Sequence, residues 1–389
     1  MVTPVSVGIE AESDRAAGAV SVELPTGRLD VSVRRAELPL EALCGFGARR
    51  NPRRGFLFVS KVLGRHLPVR PSTMRDVHRR LARKLPKDLP GPIVVLGLAE
   101  TAIALGRGVF DEYVRATGRE DVLFLQSTRY HLSRPVAFRF SEEHSHASAH
   151  RVYRPDEPRA DELLRSVRSL IVVDDEASTG QTFTNIVNAF RCESPTIEHV
   201  AFAVITDWRP VSSPRKALPE GLWSHDASLL EGEYTFTPAA RPPIAMPRAE
   251  GSGELKDSLL SRNDGRFGLV AGAAALPLPD VALQGGAGRR VLVLGSGEFV
   301  YPPYLLAAEL ERAGADVWCQ ATTRSPALVG DAIGCALEFQ DNYRDGIANY
   351  LYNVRPGDYD DVFICYETPA DTVQPELIRA LGAQVVLFP

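Results

Sequence analysis

Two adjacent carboxylates end an apolar run, and a turn rich in hydroxyl groups follows them directly. The stretch is LIVVDDEASTGQT, residues 170–182, in which Asp174 and Asp175 follow four apolar residues. Two carboxylates side by side suit the two vicinal hydroxyl groups of a ribose. The turn leads into a predicted helix, and backbone N–H groups at the start of a helix bind phosphate without needing a cation. The stretch therefore predicts a site for a phosphorylated sugar.

The turn supplies hydrogen-bond donors and room for close approach of the backbone. Its glycine permits that approach, and its hydroxyl groups add to the donors of the main chain. Ligands of open parallel sheets bind at the carboxyl ends of the strands, which is where the two acids stand. An alternative is a strand end of this kind in a Rossmann-like or response-regulator-like domain. The residues predicted to bind the phosphorylated sugar are Glu176, Ala177, Ser178, Thr179, Gly180, Gln181 and Thr182.

This stretch resembles the loop that binds phosphoribosyl pyrophosphate (PRPP) in type I phosphoribosyltransferases. That loop has four apolar residues, two acids and a Thr-Gly-x-Thr turn, and Gln181 stands here in place of the usual second glycine. The resemblance implies that Asp174 and Asp175 are catalytic residues that bind the ribose hydroxyls, while the turn binds the 5-phosphate. It also implies Mg²⁺-dependent displacement of pyrophosphate from PRPP by a nucleobase-like acceptor, or the reverse reaction.

Three segments upstream match other parts of these enzymes. Arg129, after the second core strand, is expected to contact the diphosphate and is counted with the catalytic residues. The polar segment 131–158 takes the place of a mobile hood loop that closes over the diphosphate and excludes water. The segment after the first core strand takes the place of the pyrophosphate loop, although an ordinary βα turn would have the same residue types. Its residues are Gly97, Leu98, Ala99, Glu100 and Thr101.

The hood segment contains EEHSHASAH, residues 142–150, with three histidines near two glutamates. His144 and His146 are predicted catalytic residues because arginines share their loop. A metal site formed with His150 is one alternative, since histidines four residues apart share a helix face, and a solvated loop is another. No protein metal ligands are assigned, because Mg²⁺ is expected to reach PRPP mainly through water.

Further stretches resemble one group of these enzymes, the orthogonal phosphoribosyltransferases of bacterial tellurium-resistance and stress-response gene neighbourhoods. That group carries a C-terminal domain named for a TRSP signature. The resemblance implies a cytoplasmic enzyme in the biosynthesis of a nucleoside-like metabolite. The matching stretches are NPRRGFLFVSKVLGRHLPV (51–69), GLAETA (97–102), EEHSHASAH, VVDDEASTGQT, GSGEFVYPP (295–303), TTRSP (322–326), DNY (341–343), YNV (352–354) and YETP (366–369).

The basic N-terminal region is the candidate for recognition of the base. Phe56 and Phe58 are candidates to stack on a heterocyclic ring, and Arg53 and Arg54 are candidates to face anionic groups. The alternative for the phenylalanines is an ordinary buried strand, because GFLFVSKVL is apolar enough to form one.

The elements that must position these residues predict an α/β fold. Short apolar strands at 93–96, 122–126, 170–174 and 200–206 alternate with predicted helices, which indicates a parallel sheet covered on both faces. A hairpin is predicted over 20–33, and a helix with Ser72 as its N-cap runs to Lys84. We predict a hood and base-recognition region over 1–90, a phosphoribosyltransferase core over 91–210, a Pro/Gly-rich linker over 211–288 and a second, TRSP domain over 289–389.

The second unit repeats landmarks of the first. VVLGLAETA (94–102) parallels VLVLGSGEF (291–299), LFLQSTR (123–129) parallels VWCQATTR (317–324), and FICYET (363–368) is a damaged counterpart of IVVDDE (171–176). One hypothesis is a degenerate second phosphoribosyltransferase-like domain, which a different strand order would refute. The other is chance similarity between α/β units. The candidate phosphate or base site of this unit comprises Gly295, Ser296, Gly297, Glu298, Thr323, Arg324, Ser325 and Asp341.

Composition and charge narrow the class of protein. A hydrophobic fraction of 44% with 24% charged residues is typical of a soluble globular protein. No apolar run approaches the ~20 residues needed to span a bilayer, and we expect no signal peptide and no membrane association. Five scattered cysteines fit a reducing cytoplasm.

Charge alone does not identify the partner. Residues 28–87 hold 16 Lys and Arg against 4 Asp and Glu, an excess that suits nucleic acid or a polyphosphate equally. Without a recognised nucleic-acid motif we predict small-molecule substrates only, and we allow for a homodimer. Two rival functions are a non-catalytic protein that senses PRPP or a nucleotide, and a phosphatase or phosphorylase that uses the acid pair as nucleophile or base.

Overall fold

The computed structural model describes residues 18–51, 54–142, 149–210, 218–240, 251–274, 276–283 and 288–388. In chain order the strands of these residues are β1 (Ala19–Leu24), β2 (Gly27–Ala36), β3 (Cys44–Ala48), β4 (Phe56–Ser60), β5 (Ile93–Gly97), β6 (Val122–Gln126), β7 (Val136–Ser141), β8 (Ala149–Tyr153), β9 (Ser169–Ala177), β10 (His199–Asp207), β11 (Trp223–Pro238), β12 (Leu269–Val270), β13 (Arg290–Gly295), β14 (Asp316–Ala321), β15 (Ala336–Gln340), β16 (Ala348–Tyr352), β17 (Asp361–Tyr366) and β18 (Gln384–Leu387).

Helices alternate with these strands over much of the described chain. They are α1 (Leu40–Leu43), α2 (Pro71–Lys84), α3 (Ile103–Thr117), α4 (Pro158–Arg165), α5 (Gln181–Glu193), α6 (Tyr301–Arg312) and α7 (Pro375–Leu381), with a 3₁₀ turn at Ala370–Thr372. None of the helices in the described residues is both long and apolar enough to cross a membrane.

The largest sheet has the strand order β1-β2-β11-β10-β9-β5-β6-β12. Its five central strands, β11 to β6, are parallel, and antiparallel strands cover both edges. β5 and β6 are buried along their whole length, as expected for parallel strands with helices on both faces. The predicted α/β fold is therefore confirmed, and its sheet brings the carboxyl ends of β5, β6 and β9 to one edge.

Local boundaries differ from the predictions at two places. α2 starts at Pro71 with Arg70 as its N-cap, while the hydroxyl of Ser72, the predicted cap, donates to Glu311 at 2.8 Å. Proline suits the first helical position because its missing N–H has no partner there. β9 continues three residues past Asp174, since Glu176 and Ala177 still pair with β10.

The segment predicted as a linker contains β11, which pairs in parallel with β10 inside the main sheet. Pro- and Gly-rich stretches on both sides give the segment a composition typical of a linker. The centre of the strand, 227–230, is nevertheless buried. Farther along the segment, Leu259, Leu260 and Phe267 form a small apolar core with three tyrosines and Leu132. The segment is thus partly built into the first unit.

A second, all-parallel sheet has the order β14-β13-β17-β18. The corresponding strands of the main sheet have the order β6-β5-β9-β10. In the first unit the antiparallel hairpin β7-β8 lies between β6 and β9 in the chain. In the second unit the hairpin β15-β16 lies between the corresponding strands β14 and β17. The strand order therefore agrees with the duplication hypothesis.

The two α/β units pack directly on each other. One apolar cluster joins Ala99, Ile103 and Ala104 of the first unit to Phe299 and Tyr301 of the second. α3 contacts α6, and the guanidinium of Arg107 lies 5.2 Å from the centre of the Tyr301 ring. The carboxyl ends of β5 and β13 consequently lie close to the same interface.

Candidate active site

The acid pair lies in a cavity at the carboxyl end of β9. The backbone N–H of Asp175 donates to Oδ1 of Asp174 at 3.0 Å. Burial, and then the neighbouring Asp175 carboxylate, raise the pKa of Asp174 well above its usual value. Burial, and then the charge of Glu176, raise the pKa of Asp175 to about 6. The protein thus holds two mutually repelling carboxylates where a hydroxyl-bearing or cationic ligand would relieve the repulsion.

A backbone cup follows the acids over residues 177–182. Gly180 is the N-cap of α5 with φ 77°, a conformation that favours glycine. A Cβ at this position would lie 3.3 Å from Cδ of Arg209. Gln181, in place of the usual glycine, turns its side-chain amide to Asn185 at 2.8 Å. Residues 177–180 and 182 of the cup line the cavity of the acid pair, and their binding of a phosphate stays a prediction.

Arg209 supports the cup from behind. Its guanidinium donates to both oxygens of Asp207, at 2.9 and 2.5 Å, and pairs with Asp226 at 2.8 Å. It also lies over the rings of Phe183 and Phe202. Because these partners come from β10, β11 and α5, they fix the cup relative to the sheet.

The loop after β5 faces the acid pair across the cavity. The N–H of Ala99 donates to Oγ of Ser127 at 2.9 Å, and that oxygen lies 3.1 Å from Nδ1 of His150. Nε2 of His150 lies 3.3 Å from Glu142. Because the Glu142 carboxylate can only accept, Nε2 of the neutral imidazole donates to it, and Nδ1 accepts from the Ser127 hydroxyl. This chain of contacts links the loop to the β7-β8 hairpin.

Arg129 and Glu142 form an ion pair at the same edge of the cavity. Nη2 of Arg129 lies 3.4 Å from Glu142. Burial alone would raise the pKa of Glu142, but the hydrogen bond from His150 and the charges of Arg129 and Arg49 lower it to about 2. Glu142 is therefore ionised at neutral pH and keeps a cation beside the cavity.

Glu100, the acid of the loop after β5, lies between two buried arginines. Its carboxylate is 3.3 Å from Nη1 of Arg65 and 3.0 Å from Nε of Arg324. Burial raises the pKa of Glu100, but the two guanidinium groups outweigh that effect and hold it below its usual value. Arg65 belongs to the N-terminal region and Arg324 to the second unit, so this pair of contacts joins three parts of the chain.

One cavity collects most of the predicted sugar- and diphosphate-binding residues. Gly97 is the last residue of β5, and the side chain of Gln181 is hydrogen-bonded to Asn185 within α5. Neither residue lines the cavity. The lining includes Leu98, Ala99, Glu100, Thr101, Arg129, Asp174, Asp175, Glu176, Ala177, Ser178, Thr179, Gly180 and Thr182, together with Thr323, Arg324 and Ser325. His144 and His146 lie outside the described residues, and their predicted role stays a prediction.

Comparison with known families gives two matches in this chain. Residues 43–221 match the family described as phosphoribosyl transferase. Residues 263–381 match the family described as TRSP domain C terminus to PRTase_2. The protein is a phosphoribosyltransferase. It carries a TRSP domain, as the sequence motifs imply, and no curated protein matches its chain.

Solved structures with similarity to this phosphoribosyltransferase are distant in sequence. The adenine phosphoribosyltransferase of Rhodothermus marinus has 14% identity and a TM-score of 0.31, over 49% of this chain and 97% of its own. That of Trypanosoma brucei has 15% identity and a TM-score of 0.32, over 49% and 76%. The orotate phosphoribosyltransferase of Mycobacterium tuberculosis has 15% identity and a TM-score of 0.29, over 49% and 91%.

The predicted second-unit site is not a single cavity in this phosphoribosyltransferase. Glu298 turns to the first unit, where it accepts from the Thr128 hydroxyl at 2.5 Å and the Arg129 N–H at 2.8 Å. Asp341 accepts from three backbone N–H groups of its own loop, 343–347. A Cβ on Gly295 would lie 2.4 Å from a backbone oxygen, and Ser296 and Gly297 both lie buried at the unit interface. Of the predicted residues, only 323–325 line a cavity. All three line the cavity of the acid pair, and Arg324 also lines a neighbouring cavity with Arg129 and Lys256.

The phenylalanines of the N-terminal region pack mainly within it. Phe58 lines the cavity, but one face of its ring stacks on Trp208 at 4.6 Å. Phe56 packs against Tyr234 and Phe236, as in the buried-strand alternative. Arg54 pairs with Glu176 next to the acid pair, and Arg53 lies outside the described residues.

Arg65 and His66 are cavity residues of the phosphoribosyltransferase that sequence reasoning did not single out. Arg65 donates to the carbonyls of Gly297 at 2.9 Å and Thr322 at 2.7 Å. Burial, and then the charge of Arg65, lower the pKa of His66 to about 3. Their presence in the stretch that resembles the orthogonal enzymes, 51–69, was the signal available in the sequence.

Proposed function

We propose that the protein transfers a phosphoribosyl group from PRPP to a nucleobase-like acceptor with release of pyrophosphate, or catalyses the reverse reaction. One observation carries the proposal. The acid pair, the cup at 177–182 and the loop at 98–101 line a single cavity. This set of groups suits a ligand that carries a phosphate, vicinal hydroxyls and a diphosphate.

Each part of the cavity has a distinct task in this reaction. The cup anchors the 5-phosphate, and Asp174 and Asp175 accept hydrogen bonds from the ribose hydroxyls. The N–H groups of the loop at 98–101, together with Arg129, face the departing diphosphate. No covalent nucleophile is needed, so positioning and fixed charges lower the barrier as positive charge grows on the sugar and negative charge on the leaving group.

The acid pair also fits a divalent cation. Carboxylate oxygens are the ligands that Mg²⁺ prefers. Burial and the neighbouring acids raise the pKa values of Asp174 and Asp175, and a cation beside them would favour their ionised forms. Bound Mg²⁺ would supply charge neutralisation for the diphosphate. Asp174 and Asp175 are the residues that would hold it, mainly through water.

We propose a nucleoside-like metabolite as the product, made in the cytoplasm. The support is the resemblance to the orthogonal phosphoribosyltransferases, which implies a setting of tellurium resistance and stress response. The acceptor enters from the side of the N-terminal region, where Leu57, Phe58 and Leu63 give the cavity an apolar wall. Such a wall suits a planar heterocycle.

A screen for product and pyrophosphate tests the proposal. Purified full-length protein is incubated with PRPP, Mg²⁺ and a panel of purines, pyrimidines and pyridine carboxylates, and products are identified by mass spectrometry. We expect one acceptor class to give a ribosylated product of matching mass with equimolar pyrophosphate. Glu198→Gln, at an exposed position outside the cavity, is the matched control for variants of the acid pair. Absence of PRPP binding by calorimetry would contradict the proposal, and binding without turnover over a broad panel would favour a sensor.

A further inference from the structure

The second α/β unit reaches into the active-site cavity of the first. Thr323, Arg324 and Ser325 follow β14 and line the same cavity as the acid pair. The hydroxyl of Tyr352 fixes this turn, since it donates to the carbonyl of Ser325 at 2.8 Å and accepts from the N–H of Ala327 at 2.8 Å. The turn is therefore a rigid part of the cavity wall.

Contacts between the two units are reciprocal. Glu100 lies three residues after the glycine that ends β5, and Glu298 three residues after the glycine that ends β13. Glu100 pairs with Arg324, which follows β14, at 3.0 Å. Glu298 accepts from the backbone N–H of Arg129, which follows β6, at 2.8 Å. Each unit thus sends its first loop to the second loop of the other, as the two subunits of a two-fold dimer would.

Among the described residues, the position of the second unit that corresponds to the acid pair has no room for a sugar. At the end of β17, where the acid pair would stand, Glu367 is bound by both terminal nitrogens of Arg266 at 3.2 Å. The hydroxyl of Tyr343 lies 3.1 Å from the same carboxylate, and the Tyr343 ring stacks on Tyr130 at 4.4 Å. The corresponding position is therefore filled by side chains of the protein itself.

We propose that the second unit is a non-catalytic partner domain that supplies Arg324 to the diphosphate end of the active site. This inference rests on the proposed function. Arg324 acts as a positioning residue, because it holds Glu100 and with it the loop at 98–101. Two arginines, 65 and 324, share the single carboxylate of Glu100. The group therefore carries a net positive charge beside the loop, which complements a diphosphate.

The geometry separates the two anionic ends of PRPP. Arg324 contacts Glu100 and the hydroxyl of Tyr130 at 3.2 Å, and it belongs to the wall of the loop at 98–101. The 5-phosphate cup is built from β9 and α5 and braced by Arg209. Loss of Arg324 should consequently weaken ligands that carry a diphosphate and leave a sugar monophosphate unaffected.

Titration of full-length variants tests this assignment. Arg324→Gln and Arg324→Lys are compared with Arg312→Gln, an exposed arginine of α6, by calorimetry with Mg-PRPP, Mg-pyrophosphate and ribose 5-phosphate. Because Glu100 loses a partner and the positive charge beside the loop at 98–101 is reduced, we expect Arg324→Gln to bind Mg-PRPP and Mg-pyrophosphate about tenfold or more weakly. Ribose 5-phosphate should bind within about twofold of wild type, the scatter expected of an uninvolved site. Arg312→Gln should match wild type throughout.

The lysine variant keeps the test decisive if the glutamine variant does not fold. Lysine retains the charge beside Glu100 but lacks the fork of guanidinium donors, so an intermediate loss confined to diphosphate ligands is expected. Unchanged pyrophosphate affinity in a folded variant, or an equal loss for ribose 5-phosphate, would overturn the inference. Failure of wild-type protein to bind PRPP would instead overturn the proposed function beneath it.

Discussion

Asp175 combines a predicted catalytic role with a cost in stability. Its pKa rises from 3.8 to about 6 in the folded protein, so the folded state binds the proton more tightly than the unfolded state does. Stability is therefore lost as pH rises from about 4 through about 6. Asp175→Asn removes this charge, and we expect it to abolish turnover. We also expect it to raise the free energy of unfolding at pH 7 by roughly 1–3 kcal/mol, given about 1.4 kcal/mol per pKa unit and partial exposure.

Urea unfolding of wild type and Asp175→Asn at pH 7 and pH 4 measures the stability effect. The gain should be present at pH 7 and should largely vanish at pH 4, where the wild-type carboxyl is protonated. Product formation with the best acceptor of the panel measures turnover. Full activity in the variant, or an equal stability difference at both pH values, would contradict the assignment.

Glu142 should behave in the opposite way. Its pKa is lowered from 4.5 to about 2, so its stabilising contribution is present above about pH 4.5 and lost as the pH falls toward 2. Glu142→Gln should lower the free energy of unfolding at pH 7 by roughly 1–3 kcal/mol, because the favourable interaction of the Glu142 charge with Arg129 and Arg49 is removed. In urea unfolding, the difference in the free energy of unfolding between wild type and variant should shrink from pH 5 to pH 3. A constant difference over that range would contradict the stabilising role of the Glu142 charge.

At the residue scale the sequence identified the contiguous groups and missed the distant ones. Asp174 and the turn at 178–182 are adjacent in the chain, so one strand and one helix suffice to predict their arrangement. Arg65 becomes a partner of Glu100 only through the folding of a separate segment. No local pattern encodes that contact.

The cup is an element-scale device, because it depends on how β9 passes into α5. Gly180 has φ 77° there, and alanine at a left-handed position costs about 1–2 kcal/mol. Gly118, the C-cap of α3 with φ 66° and open space around its Cβ, is a matched control. Both alanine variants should lose similar stability in thermal melts.

Binding should separate the two glycine variants. Only Gly180→Ala changes a residue of the cup, where the new methyl group would lie 3.3 Å from Cδ of Arg209 and displace the turn or its brace. We expect about tenfold weaker binding of ribose 5-phosphate, which is about 1.4 kcal/mol. Gly118→Ala should bind it as wild type does. Equal affinities of the two variants in calorimetry would show that the cup is not the phosphate site.

Elements with strong local patterns were predicted better than those defined by pairing. β6 has the predicted bounds, 122–126, since a short apolar run bounded by polar residues is unambiguous. β11 was missed because its position between β10 and β2 depends on pairing across the sheet. The contribution of 323–325 to the cavity was missed for the same reason, as it follows from the packing of one unit on the other.

At the scale of the whole molecule, Arg65 connects the N-terminal region to both units. Its guanidinium donates to Glu100 in the first unit and to the carbonyls of Gly297 and Thr322 in the second. The apolar cluster around Phe299 and Tyr301 adds to the same interface. We therefore expect wild-type protein to unfold in one cooperative transition, with β5 and β13 exchanging amide hydrogens at the same free energy of opening.

Arg65→Met should uncouple the two units. It leaves Arg324 as the remaining guanidinium partner of Glu100 and removes the Arg65 donor from the buried carbonyls of Glu100, Gly297 and Thr322. Breaking a buried charge pair on one side costs about 3–5 kcal/mol, and the remaining contact with Arg324 places the expected loss at the lower end of that range. Hydrogen exchange with mass spectrometry should then show β13 peptides opening at lower free energy than β5 peptides, and urea unfolding should broaden or split. Arg312→Gln, outside the interface, should leave both peptides coupled. If β13 already opens more easily than β5 in the wild type, the two units unfold independently. The second unit would then not hold the diphosphate loop in place, and the role inferred for it would be contradicted.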